Sequence, residues 1–426
     1  MESTQEIEKV KEGYKKTVVG LIPEDWTCKS LREIGELKNG INKDKSDFGF
    51  GLPMINLMDV FGYNRLFKNN LDLSLVNATE RDLKEFSLEK GDVLFIRSSV
   101  KSEGVGLTAL ICDDLQNTTY SGFIIRFRDN NFLNFDFKAH CFYESNFRQR
   151  LMNKSTISAN TNINQSALNS LILAIPPLPE QQKIATILST WDEAISKQKI
   201  LVEQTRKRNQ GIAQQLLTGK KRLKGFDGAW KEMKFGDAIS RITRRNDIEN
   251  TNVVTISAKR GFVRQDDFFN KQVASETLTN YYLLKKGEFA YNKSYSNGYP
   301  MGAFKRLNDF DFGVVTTLYI CFSVKNEFDS NFFMHFFEAG LMTHGLTKIA
   351  QEGGRAHGLL NIGLNDFLSL KIIVPNLQEQ KVISQLIEIA ELELKLQKQQ
   401  LSSLQNEKEG LMQKLLTGEI RVNVKN

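Results

Sequence analysis

Two stretches of the chain carry apolar residues at alternating steps of four and three, the spacing of a helix face that packs on another helix. The first follows Pro179, which suits the first turn of a helix; the two stretches end at Gly219 and Gly418, where a C-cap belongs. With no internal proline, each predicts a rod of roughly 55–60 Å. The predicted spacer-helix seam consists of Ile184, Leu188, Trp191, Ile195, Val202, Ile212 and Leu216 in the first helix and Ile383, Ile387, Leu394, Leu401, Leu404, Leu411 and Leu415 in the second.

The two stretches are copies of one block of sequence. The EQ dipeptides at Glu180 and Glu379 are 199 positions apart (379 − 180), and the GxxQxLLTGxxR segments around Leu216 and Leu415 have the same offset (415 − 216). About 60 residues thus repeat without an insertion or a deletion. Equal rods in one chain pack most simply on each other as an antiparallel coiled coil, which predicts a pseudo-two-fold internal repeat. A coiled coil between two chains is the alternative.

The regions before each helix predict globular domains. Strand-like runs, among them 92–97, 252–257 and 313–323, alternate with helical pieces such as 331–343, so each region should form an α+β domain. The offset between matching motifs varies within these regions but is constant in the helices, which favours helices that set geometry and domains that set specificity. The predicted organisation is an N-terminal tail at 1–20, globular domains at 21–174 and 223–373, and spacer helices at 175–222 and 374–426, the last including a C-terminal tail.

Charge and loop composition favour a nucleic-acid partner. The chain has 57 Lys and Arg against 50 Asp and Glu, a net charge of +7, and its loops are rich in Lys, Arg, Asn and Ser. Such side chains contact phosphates and base edges, although an ordinary solvated loop is the alternative for each residue. The loops after the repeated KG[DE] strand are the better candidates, because both copies place cations there. The candidate DNA-binding residues are Lys43, Lys45, Arg97, Ser98, Ser99, Lys101, Arg241, Arg244, Arg245, Lys259, Arg260, Lys293, Tyr295, Arg355 and His357.

No enzyme motif is evident, so the sequence predicts no catalytic residue and no bound cofactor. There is no GxxxxGK[ST] loop and no GxGxxG, and the one Pro-Pro pair, at 176–177, opens a helix and does not belong to an amino-methyltransferase tetrapeptide. The four cysteines and four histidines are scattered without ligand spacing, so no metal site is expected. The charged first residues and the lack of a long apolar run predict a cytoplasmic protein with reduced thiols and no membrane segment.

The segments IPPLPEQQKIATIL and LLTGxxR, the opening IPEDW and the duplicated layout together resemble specificity subunits of type I restriction-modification systems. The resemblance covers nearly the whole chain. It implies that the globular parts are target recognition domains, each reading one half of an asymmetric bipartite DNA site, with the helices as spacers. The second copy departs from the pattern, because Asn376 and Gln378 replace prolines, which weakens the helix-start signal there without changing the predicted architecture.

The resemblance also implies partners. Modification (methyltransferase) subunits, in two copies, would use S-adenosylmethionine to methylate an adenine in each half-site, and restriction (endonuclease) subunits would use ATP and Mg²⁺ to translocate and cut DNA. Double-stranded DNA would be the shared ligand. Three alternatives remain at this point: the recognition subunit of a different bifunctional restriction-methyltransferase enzyme, a nuclease in its own right, and a structural coiled-coil scaffold.

Overall fold

The computed structural model describes residues 11–268, 278–350 and 360–423. The chain divides into two compact units: the first holds the residues up to Lys199 together with those from Gln400 onward, and the second holds Ile200–Gln399. Each of the two long helices therefore contributes one part to each unit.

The first unit is a mixture of short strands and short helices followed by a long helix. Its elements are β1 (Tyr14–Thr17), β2 (Gly20–Pro23), β3 (Thr27–Ser30), α1 (Leu31–Ile34), β4 (Gly35–Asn39), β5 (Phe48–Ile55), α2 (Leu57–Val60), β6 (Arg65–Leu66), β7 (Ser74–Val76), α3 (Glu80–Glu85), β8 (Val93–Ile96), β9 (Ser98–Ser99), β10 (Thr108–Ile111), β11 (Thr119–Tyr120), β12 (Ile124–Asp129), α4 (Ser145–Asn153), β13 (Thr156–Ile157), β14 (Thr161–Asn162), α5 (Gln165–Asn169), β15 (Ile172–Ile175) and α6 (Leu178–Leu217), which runs on into the second unit. The main sheet has the order β4-β12-β8-β10-β6, and smaller sheets have the orders β11-β5-β7 and β13-β14-β9.

The described residues of the second unit repeat this composition with fewer strands. Its elements are β16 (Lys231–Lys234), α7 (Phe235–Ala238), β17 (Ile239–Arg241), β18 (Val254–Ser257), β19 (Gly261–Arg264), α8 (Gln265–Phe268), β20 (Tyr282–Lys285), β21 (Phe289–Asn292), β22 (Ala303–Arg306), β23 (Phe312–Val315), β24 (Ile320–Val324), α9 (Ser330–Glu338), α10 (Thr343–Ile349), α11 (Leu364–Leu368), β25 (Lys371–Val374) and α12 (Leu377–Leu416), which returns to the first unit. The main sheet has the order β17-β24-β21-β22.

The two units share one plan, as the sequence repeat predicted. The antiparallel strands β4-β12-β8 of the first unit correspond to β17-β24-β21 of the second, and the strand before each long helix pairs with an early strand, β15 with β3 and β25 with β16. The α+β class and the internal repeat are therefore confirmed. One detail differs: the run 313–323 forms two strands, because a turn at Thr316, whose carbonyl accepts from Tyr319 N, separates β23 from β24.

Large aromatic side chains fill the core of each unit. In the first, Phe95, Phe127 and Phe142 pack edge to face with ring centroids 5.0–6.5 Å apart. In the second, Phe322 stacks on Phe289 with centroids 5.5 Å apart. Apolar residues at the start of one long helix and the end of the other join each core, so burial of this surface ties the helices to the domain in both units.

The long helices pair in antiparallel fashion within each unit. In the first, Lys408 Nζ on α12 contacts Asp192 Oδ1 on α6 at 2.6 Å. In the second, Asn209 Nδ2 donates to the carbonyl of Ala390 at 2.7 Å. Among the predicted seam residues, Ile184, Leu188, Ile195, Leu216, Ile383, Ile387 and Leu415 are buried; Trp191, Val202, Leu394, Leu401, Leu404 and Leu411 are half-buried; and Ile212 is exposed.

The helix ends follow from local sequence. Gly219 and Gly418 have φ values of 69° and 74°, the left-handed conformation that terminates a helix, as their position predicted. α12 begins at Leu377, the position equivalent to Leu178 of α6, and the Asn376 side chain accepts a hydrogen bond from Glu379 N at 2.9 Å. An N-cap therefore replaces the proline of the first copy, and the weaker sequence signal leaves the architecture unchanged.

Candidate nucleic-acid interface

The first unit brings two of the candidate loops together at Gly122. Arg97, directly after β8, donates from Nη1 to the carbonyl of Gly122 at 3.3 Å. Gly122 also lies against the loop after β4: its N–H donates to Ile41, and a Cβ on it would lie 1.9 Å from Asn42 Oδ1. Glycine is thus required where the backbone of one loop lies against the other. The loop that holds Lys43 and Lys45 is consequently next to the Arg97 guanidinium.

Ser98 and Ser99 form the edge of a small sheet in the first unit. They constitute β9 and pair with Thr161 and Asn162 of β14, immediately before α5. Lys101 follows and is exposed. Thr161 and Asn162 were not among the residues predicted to bind DNA, although the segment around Asn162 falls in the repeat of constant offset.

In the second unit the candidates within the described residues lie in or beside three different loops. Arg245 places its guanidinium 5.1 Å from the centre of the Tyr282 ring and donates to the carbonyl of Asn280. Lys259 and Arg260 lie in the turn between β18 and β19. Lys293 follows β21, and its carbonyl accepts from Leu360 N at 2.8 Å.

Most of the described candidates can reach solvent. Arg355 and His357 lie outside the described residues. Of the rest, Lys45, Lys101, Arg241, Arg245, Lys259, Arg260 and Tyr295 are exposed, Lys43, Arg97, Ser99, Arg244 and Lys293 are half-buried, and Ser98 is buried. Two of the cations are held by acids: Lys43 contacts Asp82 at 3.0 Å, and Arg244 contacts Glu288 at 2.6 Å.

The acid of the repeated KG[DE] segment has a structural role in both units. Asp92 is buried, accepts from Glu89 N, and binds Nε and Nη2 of Arg128, each at 2.7 Å. This pairing is the main cause that raises the pKa of Arg128. Glu288 likewise accepts from the backbone, at Lys285 N, besides pairing with Arg244. The acid therefore fixes the turn before the strand that carries the candidate loop.

A buried glutamate at the start of each long helix binds a tryptophan and an arginine. Glu180 accepts from Trp26 Nε1 at 2.9 Å and from Arg421 Nε and Nη2 at 2.8 and 2.9 Å. We call Trp26, Glu180 and Arg421 clasp 1. Arg421 also contacts Asp25 at 2.7 Å, and the hydrogen bond to Glu180 is the main cause that raises its pKa.

The second unit contains the same arrangement, clasp 2, formed by Trp230, Glu379 and Arg222. Arg222 Nε and Nη2 each lie 2.9 Å from a Glu379 oxygen, and Trp230 Nε1 donates to the same carboxylate at 3.3 Å. In both units the glycine that ends a long helix packs on the tryptophan: a Cβ on Gly219 would lie 3.3 Å from the Trp230 ring, and one on Gly418 would lie 3.3 Å from Trp26.

The glutamine next to each clasp glutamate holds the recognition domain at a second point. Gln181 Oε1 accepts from Asn134 N at 2.7 Å, and its Nε2 donates to the carbonyl of Phe132 at 3.1 Å. Gln380 Oε1 accepts from Asp329 N at 2.8 Å. Sequence reasoning found the EQ and LLTGxxR segments but not their mutual contact. The offset that the EQ and LLTGxxR segments share between the two copies was the signal for this contact, because segments that contact each other are constrained to keep their spacing.

Each unit also buries a histidine against the long helices. His140 Nε2 lies 3.9 Å from Asp192, and His335 Nδ1 lies 3.5 Å from Glu391. Burial is the main cause that lowers the pKa of both histidines to about 4, so both are neutral at neutral pH. Asp192 and Glu391 occupy equivalent positions of the repeat (391 − 192 = 199).

Among the described residues there is neither a candidate metal site nor a candidate membrane span. Within 11–268, 278–350 and 360–423, no cluster of three or more His, Cys, Asp or Glu is arranged to hold a metal ion. In the same ranges, none of the helices combines the length and the apolar character of a membrane span.

Comparison with known proteins identifies the family. The type I restriction modification DNA specificity domain matches the chain twice, at residues 23–204 and 230–406. The MjaX specificity subunit of a type I restriction enzyme, from Methanocaldococcus jannaschii, is 25% identical over 455 aligned positions, which cover 96% of this chain and 97% of the relative. The EcoKI specificity subunit of Escherichia coli is 27% identical over 151 residues, which cover 35% of this chain and 32% of the relative.

Solved structures share the fold. A chain from a structure of a type I restriction-modification system has a TM-score of 0.59 at 13% identity, covering 94% of this chain and 99% of its own length. The HsdS subunit of Thermoanaerobacter tengcongensis has a TM-score of 0.50 at 15% identity, covering 93% and 96%. The two matches to the DNA specificity domain, at residues 23–204 and 230–406, define a protein of the DNA-specificity class. The chain belongs to the type I restriction-modification specificity-subunit family, which confirms the resemblance predicted from its motifs.

Proposed function

We propose that each recognition domain of this specificity subunit reads one half of an asymmetric bipartite DNA site. The observation that carries the proposal is that the two domains share the same arrangement of strands but carry different loops. Arg97 and Lys293 both follow the strand of the KG[DE] segment, yet the loops continue as RSSVK in one unit and KSYSN in the other. Because side chains on loops read base edges, different loops on the same frame support two different half-sites.

The chain would act as the recognition component for catalytic partners and would carry no chemistry of its own. Two modification subunits would bind S-adenosylmethionine and methylate an adenine in each half-site after flipping it out of the duplex. Restriction subunits would bind ATP and Mg²⁺ and cut unmethylated DNA. The assembly would work in the cytoplasm, where the DNA is.

Duplicated features beside the long helices support two copies of one partner. The first unit has a cleft of about 400 Å³ lined by His140, Asp192 and Lys408, and the second has a cleft of about 460 Å³ lined by His335 and Glu391. Two equivalent clefts would allow two copies of the same partner subunit to bind. On α12 of the second unit, apolar side chains such as Ile389 and Leu392 are more than half exposed, which suits contact with a partner helix.

The test is to express the chain with the modification subunit encoded beside it and to identify N6-methyladenine across the host genome by single-molecule sequencing. We expect one bipartite motif with two unlike halves and a fixed gap. A palindromic or undivided motif from an active complex would overturn the two-reader proposal. Methylation that does not depend on this chain would overturn its role as the specificity subunit.

A further inference from the structure

Each clasp joins three segments that are distant in the chain. Trp26 opens the first recognition domain, Glu180 begins the helix that follows this domain, and Arg421 lies just beyond the end of the other long helix. Clasp 2 makes the same connection with the roles of the two long helices exchanged: Arg222, just beyond the end of α6, binds Glu379 at the start of α12. In both clasps the arginine comes from the helix that does not follow the domain being held.

We infer that the clasps position the recognition domains on the helices, so that Arg421 controls reading of the half-site by the first domain and Arg222 controls reading by the second. The inference rests on the proposed function for its half-site readout. Its consequence is contrary to sequence order, because a residue near the C-terminal end of the chain would govern the domain nearest the N-terminal end.

The geometry of the clasps favours positioning over simple attraction. In each, two guanidinium nitrogens bind the carboxylate in parallel, and this fork fixes an angle as well as a distance. Lysine carries the same charge but not the fork. Glu180 and Glu379 are 3% and 1% exposed, so loss of the arginine would leave a buried carboxylate without its charged partner.

A second contact between each long helix and its recognition domain fixes the orientation of the domain. A domain held only through its tryptophan could rotate about that contact. Gln181, one residue after Glu180, holds the backbone at Phe132 and Asn134, and Gln380 holds Asp329 in the second unit. One turn of each long helix therefore grips its domain at two separated points. Loss of the arginine would weaken the first of these contacts, because the glutamate would then be held by the tryptophan alone, and would leave the glutamine contact in place.

Half-site reading is sensitive to such a release. Each domain would position its half-site so that one adenine can be flipped into the active site of a partner subunit. Such a reaction requires a narrow range of domain positions, and displacements of about 1 Å can lower a rate about 100-fold. A loosened domain would also accept sites whose gap differs by one base pair, because its position relative to the helices would no longer be fixed. Loss of stability alone does not change the accepted gap.

The experiment uses the full chain in complex with the modification subunit and DNA duplexes already methylated at one half-site, so that only the other adenine reacts. The variants are Arg421→Lys and Arg421→Gln, matched by Arg222→Lys and Arg222→Gln. Lys207→Gln is the control, since this exposed lysine pairs with Glu203 within α6. We measure kcat and KM for each half-site, on duplexes with the native gap and with one base pair more or less.

We expect the Arg421 variants to slow methylation of the first domain's half-site about 10-fold or more and to relax its gap, with the other half-site nearly unchanged. The Arg222 variants should do the reverse, and the control should do neither. Equal losses at both half-sites, losses assigned to the opposite domain, or no loss would overturn the inference.

A second readout is independent of DNA. Hydrogen exchange of the purified chain should accelerate around Trp26 and Glu180 in Arg421→Lys and around Trp230 and Glu379 in Arg222→Lys. Unchanged hydrogen exchange in these variants would overturn the inference that the clasps position the recognition domains. If the exchange changes occur but the wild-type complex methylates no bipartite site, the proposed function fails while the clasps stand.

Discussion

His140 and His335 are the titrating residues whose protonation should govern stability in mild acid. Their pKa values are lowered from 6.5 to about 4, first by burial, so the folded chain keeps them neutral while the unfolded chain protonates them near 6.5. The unfolded state therefore binds more protons between these values. Their contribution to stability is complete above pH 6.5 and is lost as pH falls toward 4, by at most about 2.7 kcal/mol per pH unit for the pair.

The measurement is the melting temperature of the chain by calorimetry between pH 7.5 and pH 5, a window that lies above most carboxyl pKa values. We expect a steady fall below pH 6.5. The matched variant His140→Gln with His335→Gln should show a flatter dependence in the same window, whatever its absolute stability. Parallel curves for the two proteins would contradict the assignment.

Arg97, Lys101 and Lys293 should each act on one half-site. Removing Arg97 and Lys101 together, by Ala substitutions, should weaken DNA binding by about 1–3 kcal/mol at the first domain's half-site, because charge and contact are lost there. Lys293→Ala should affect the other half-site. Binding to duplexes with one half-site scrambled separates the two effects. Lys231→Ala, on the exposed strand β16, is the charge control and should change neither; a uniform loss would argue against two separate readers.

Single-residue contacts were the part that the sequence could not supply. The repeated KG[DE] and EQ segments stood out, but their partners lie far along the chain: Arg128 for Asp92, and Arg421 for Glu180. Periodicity reports which face of an element is buried and says nothing about which distant segment covers it. Gly122 was missed for the same reason, since a close approach of two loops leaves no local pattern.

At the scale of elements, Asn376 should determine how firmly α12 starts. Its side chain caps Glu379 N, so Asn376→Ala should lower the stability of the second unit by about 1 kcal/mol. Asn376→Pro, the residue found in the first copy, should cost less, because proline also suits a helix start. Chemical denaturation followed by circular dichroism measures the difference. Gln378→Ala, at an exposed neighbouring position, is the control, and an equal effect there would exclude capping as the cause.

The long helices were predictable because their signal is long, strictly periodic and bounded by glycines. The short elements were not. β6, β9 and β14 have two residues each, too few for any period, and they exist because the neighbouring strands offer them hydrogen bonds. Likewise the run 313–323 had the composition of one strand, and its break at Thr316 follows from pairing with two different sheets, β23 with β20 and β24 with β21.

At the scale of the molecule, the repeated frame predicts that a recognition domain can work in either position. Both domains are joined to the helices through the same contacts, a tryptophan on a buried glutamate and a glutamine on the domain backbone. A chimera that carries residues 21–174 in both positions therefore keeps a clasp at each site. We expect its complex with the modification subunit to methylate a bipartite motif whose two halves are the same sequence, with an unchanged gap.

The matched control is the reciprocal chimera with residues 223–373 in both positions, which should yield the other half-site twice. Genome-wide detection of N6-methyladenine gives both motifs directly. The expectation depends on the frame being equivalent at both positions, because the loops alone do not fix the gap. A chimera that folds and binds the modification subunit but retains the original asymmetric motif would place specificity outside the exchanged residues, in the helices or in the partner. A motif with two like halves and a different gap would mean that the distance between half-sites is set by the domains. It would then not be set by the two helices, whose sequences repeat at an offset of 199 positions.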